Sequence, residues 1–152
     1  MKIINHTKRK PNIKLWEAVA ETYGVEPDFV YILKHRFLKS TKARCAHFFR
    51  GLCVSVGYNN IIIIWDLYET DKSIDWLFFH EWRHMYATQH PTVSKSLNLR
   101  DRSFSKICTN KDEQLYPSEV DADIFATDIL NADFGDQWHD KRLKKHIKGI
   151  KK

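Results

Sequence analysis

The spacing of apolar positions changes along the chain, and each change predicts an element. Leu15, Trp16, Val19, Ala20 and Tyr23 recur at helical intervals, with Gly24 as a stop. Phe29, Ile32, Leu33 and Phe37 carry on that spacing after Pro27 and predict a second helix. The missing N–H of Pro27 suits a first helical turn. The pattern then shifts. "RCAHFF" and "LCVSV" are short β-forming runs, "GYNN" is turn chemistry and "IIIIWD" reads as a strong strand. Four isoleucines without alternation imply that both faces of that strand are covered. A helix is predicted over 74–89, with Asp71 or Ser73 as its cap and a stop before Pro91. Residues 92–116 are polar and mixed and read as loop. Pro117 opens a last helix that runs to about residue 131. The expected class is α+β, with a small, mostly antiparallel sheet and N-terminal helices.

The 152 residues suit one domain, and 43% hydrophobic content supports a core. The longest apolar runs, "IIIIW" and "WLFF", fall far short of the ~20 residues that cross a bilayer. No membrane partner is therefore expected. The charged start "MKIINHTKRKPNIK" has no apolar core of a secretory signal, so a cytoplasmic location is the default. Cys45, Cys53 and Cys108 are odd in number and form no CxxC pair, which argues against a disulfide framework and for free thiols. Much of the net charge of +6 sits in the ends, 1–12 and 139–152. These basic ends are expected to fray in solvent, with at most a weak contact to nucleic acid.

The helix over 74–89 carries the chemistry. Its "HEWRH" places His80 and His84 four residues apart, so both imidazoles leave one face of the helix and can share an ion. Glu81 lies beside His80, where it can act as a base without being a ligand. This is the HExxH arrangement of a zinc site with its own base. The apolar residues Ile74, Leu77, Phe78 and Phe79 anchor the helix.

A third protein ligand is needed, and two residues compete. His90 would complete the HExxHxxxxxH spacing of metzincins. Those proteins have glycine where this chain has Ala87, and they set a methionine turn beneath the metal. Met1 and Met85 are the only methionines here, so none follows the motif. The alternative is Glu119 in "YPSEVDADIFATDIL", on a separate helix, as in sites that join two histidines to a glutamate. Asp123, one turn on, would then accept a hydrogen bond from a liganding histidine and fix its ring. Arg83 points away from the histidines and is expected to pair with an acidic residue such as Asp121. Tyr86, His90, Tyr116 and His139 are candidate donors to an oxyanion.

At these residues the chain resembles the ImmA/IrrE-type zinc metallopeptidases and related small metallopeptidase-like proteins of phages. The matching positions are His80, Glu81, Arg83 and His84, followed by Pro117, Glu119, Asp121, Ala122, Asp123, Phe125 and Ala126. The likeness spans roughly 55–131. It implies a gluzincin-like fold in one domain over 1–152, with Zn2+ on His80, His84 and Glu119. It also implies Glu81 as the catalytic base that activates water, and a protein or peptide substrate. ImmA/IrrE proteins cleave repressor-type regulators. Their apolar ending after the second helix is replaced here by "DILNAD". Two other readings stand beside this one. YbeY-type endoribonucleases use an H-x3-H-x5-H set that His80, His84 and His90 satisfy. The third reading is a catalytically inactive zinc-binding module.

Overall fold

The computed structural model describes residues 1–34, 51–66, 69–107 and 116–131. Four strands and four helices follow one another: β1 (Lys2–Asn5), α1 (Ile13–Tyr23), β2 (Phe29–Lys34), β3 (Gly51–Val56), β4 (Asn59–Asp66), α2 (Asp71–Gln89), α3 (Pro91–Ile107) and α4 (Pro117–Leu130). The class is α+β, as the sequence predicts.

The sheet has the order β1-β2-β4-β3 and is mixed. The β1–β2 and β2–β4 pairs are parallel, and only β3–β4 is antiparallel. This corrects the expectation of a mostly antiparallel sheet. The cause lies at the N-terminus. "KIIN" sits in a segment read as a fraying basic end, yet it forms β1 beside β2, with α1 as the crossover that parallel neighbours require. The "RCAHFF" run and Phe37 lie outside the described residues.

The second predicted helix is also corrected, because residues 29–34 form β2. Phe29, Ile32 and Leu33 fit a helical spacing, but over six residues "FVYILK" fits a period of two equally well. Val30 and Ile32 are buried while their neighbours are not. Parallel pairing with β4 decides between the two, matching Val30 to Ile62 and Ile32 to Ile64. Those four side chains are fully buried on one face of the sheet, and Ile61 and Ile63 are half-buried.

α2 packs its Ile74, Leu77, Phe78 and Phe79 into the same core. Trp16 of α1 lies flat on Phe78, ring centroids 4.0 Å apart. The Trp16 indole N–H donates to Asp75 at 2.8 Å, which satisfies a polar atom that burial would otherwise leave costly. Gly24 ends α1 at φ 67°, a left-handed conformation that needs no Cβ.

α2 begins at Asp71, and its cap lies one residue before the first of the expected caps. Thr70 is the cap, and Ser73 closes a reciprocal capping box with it. His90 ends the helix, and Pro91 at once begins α3. The expectation of loop over 92–116 is therefore corrected as far as Ile107, and 108–115 lie outside the described residues. The signal for α3 was present but thin. Val93, Leu97, Asp101 and Phe104 form one stripe turned inward among exposed polar residues. No helix among the described residues is long and apolar enough to cross a membrane.

Candidate metal centre

The site is built where α4 crosses α2. Ala122 and Ala126 are fully buried on α4, and side chains this small let the two helices approach closely. Phe125 stacks on Trp82, ring centroids 5.3 Å apart. Arg83 bonds Asp121 through Nε at 2.7 Å, as expected from the sequence, and its guanidinium also lies over the rings of Tyr86 and Phe125. The start of α4 has no side-chain cap of its own. Asp101 of α3 supplies one, accepting the Ser118 N–H at 3.0 Å, while Phe104 packs against Tyr116.

These contacts bring Glu119 to the histidines. His80 Nε2 lies 3.2 Å from Glu119 Oε2, His84 Nε2 lies 3.3 Å from Oε1, and the two Nε2 atoms are 3.1 Å apart. An ion bonded tetrahedrally at about 2.0–2.1 Å holds its ligand atoms about 3.3–3.4 Å apart. Each nitrogen reaches a carboxylate oxygen of Glu119 near that spacing, and one ligand atom from each residue lies within 4.8 Å of the others, so His80, His84 and Glu119 could hold a metal ion. Among the described residues no other group of three histidine, cysteine or acidic side chains does so.

Asp123 accepts a hydrogen bond from His80 Nδ1 at 2.7 Å, which leaves Nε2 aimed at the group. Trp76 stacks against the other side of the same ring and is itself held by Thr127 of α4 at 3.1 Å. Burial would depress the His80 pKa, but the bonds to Asp123 and Glu119 override it and lift it to about 10. Burial would likewise raise Glu119, and the bonds from His80 and His84 instead hold it well below the usual carboxylate range.

Glu81 is buried beside the histidines, and burial lifts its pKa despite their opposing charge. Cys53 is half-buried in β3, its thiol pushed up to about 12 by burial and by the carboxylates of Glu81 and Glu119. It therefore stays a neutral thiol and offers no thiolate. The backbone of β3 approaches Glu81, a feature that no motif in the sequence announces.

His90 is not brought into the group. Its Nδ1 bonds the Tyr86 carbonyl at 2.8 Å, and its ring stacks on Tyr86. Of the other oxyanion candidates, Tyr86 also packs on Trp82, Tyr116 packs on Phe104, and His139 lies outside the described residues. No protein-family model, curated protein or solved structure matches the chain.

Proposed function

We propose that this protein is a zinc-dependent metallopeptidase that hydrolyses a peptide bond in a protein substrate, akin to the ImmA/IrrE type. The observation that carries the reading is the approach of Glu119 to His80 and His84 from a separate helix. Two imidazoles and a carboxylate suit zinc. A zinc ion held there would make hydroxide available near neutral pH and polarise the scissile carbonyl.

The chain's own groups would do the rest. His80, His84 and Glu119 would hold the ion, leaving room for water and substrate on the open side. Asp123 fixes the tautomer and plane of His80. Glu81 would take a proton from the attacking water and return it to the leaving amine. Its burial helps in both halves of that exchange, because a lifted pKa makes the protonated form accessible.

Metal analysis and hydrolysis of a mixed peptide library test the reading together. Wild-type protein should carry about one zinc per chain, and Glu119→Ala should lose it. Glu81→Gln should keep the metal and lose turnover by about 100-fold or more. Full metal content in Glu119→Ala, or normal hydrolysis by Glu81→Gln, would sink it.

A further inference from the structure

Glu81 has an unusual neighbour. A Cβ added to Gly51 would stand 2.6 Å from Glu81 Oε1, 2.7 Å from Cγ and 3.0 Å from Cδ. Real side chains do not approach so closely, so any residue but glycine at 51 must displace the glutamate. The glycine is not there for backbone freedom. Its φ lies outside the left-handed region, and it is the first residue of β3, paired with Ile64. β3 thus meets Glu81 through its main chain, at the place where a side chain is missing.

We infer that Gly51 is a positioning residue: β3 seats the Glu81 carboxylate against its bare backbone and so aims it at the centre formed by His80, His84 and Glu119. The role assigned to Glu81 rests on the function proposed above, whereas the seating itself does not. A glutamate on a helix has three side-chain torsions, of which the helix restricts the first and leaves the outer two open. The strand narrows those by lying against the side chain. A displacement of about 1 Å at such a group is enough to cost on the order of 100-fold in rate.

Two measurements on the full chain test this. The first is thermal unfolding of Gly51→Ala, Glu81→Ala and the double variant. Gly51→Ala should lower the midpoint by roughly 5–10 °C, and in the Glu81→Ala background the same change should cost almost nothing. Equal costs in both backgrounds would overturn the seating. If Gly51→Ala does not fold, a folded double variant supports the inference, and a double variant that also fails overturns it.

The second measurement is hydrolysis. With zinc content retained, Gly51→Ala should lower kcat about 100-fold with KM little changed. It should add no further loss to Glu81→Gln. Unchanged kcat, or a loss confined to KM, overturns the positioning role. Should the wild type hydrolyse nothing, the proposed function fails, while the unfolding cycle still decides whether Gly51 seats Glu81.

Discussion

His80 shows how much one ring depends on its surroundings. Asp123 holds its Nδ1, Trp76 covers a face, and only Nε2 is left to meet His84 and Glu119. Asp123→Ala should therefore weaken metal binding about 10–100-fold in competition with a chelator, with helix content unchanged. Asp75 poses the opposite problem, since it is buried without belonging to the centre. Its Oδ1 accepts from the Asn12 N–H and the Trp16 indole, both at 2.8 Å. Asp75→Ala should cost about 1–3 kcal/mol for each donor left unpaired. Burial raises the Asp75 pKa above the ordinary 3.8. The folded state therefore holds this proton more tightly than the unfolded one. Stability from this group is full below 3.8 and declines as pH rises through the folded value. Asp75→Asn keeps an acceptor and has no charge to bury. Its stability relative to wild type should thus improve between about pH 4 and neutrality, as read by urea unfolding across that range.

At the scale of elements, helix ends decide where the ligands fall. α2 is aligned by the Thr70–Ser73 capping box, and Thr70→Ala should cost about 1 kcal/mol in denaturant unfolding. α4 has no such device and takes its cap from Asp101. Asp101→Ala should loosen the first turn of α4, which holds Glu119. Metal affinity should fall several-fold while α2, followed by hydrogen exchange, keeps its protection. Of the misread elements, β2 and α3 share one cause. β2 is too short for its apolar residues to separate a period of two from one of 3.6. α3 is too polar for its thin inward stripe to stand out. Pairing with β4 and contact with α4 decided these segments, and neither partner lies within the stretch whose pattern was ambiguous. The elements read correctly, α1, β3, β4, α2 and α4, carry long stripes, β-branched runs or clear punctuation by glycine and proline.

For the molecule as a whole, the centre exists only if α2 and α4 keep their separation. Ala122 and Ala126 set that distance. Ala122→Leu should cost about 1–3 kcal/mol by overpacking and should also push Glu119 from the histidines, so zinc content should fall with stability. Zinc in excess should raise the midpoint of thermal unfolding of the wild type, because an ion bound only by the folded chain stabilises it. Glu119→Ala should show little of that rise. Among the described residues, the basic stretch 1–12 puts no residue into this centre.

By itself the sequence determined the α+β class, the helix bearing His80, Glu81 and His84, and the pairing of Arg83 with Asp121. All of these follow from local periodicity, from four-residue spacing on one helix or from complementary charge. It also named Glu119 and Asp123 as candidates, on spacing and resemblance. Only the tertiary structure decided that Glu119 and not His90 joins the histidines. It alone decided that the sheet is mixed, that Asp101 caps α4 and that Gly51 lies against Glu81. Each of these is a meeting between separate segments, the nearest pair, Asp101 and Ser118, lying 17 residues apart. Close packing selects such meetings through excluded volume and through the cost of leaving polar atoms unpaired, and neither leaves a mark on any short stretch of the chain.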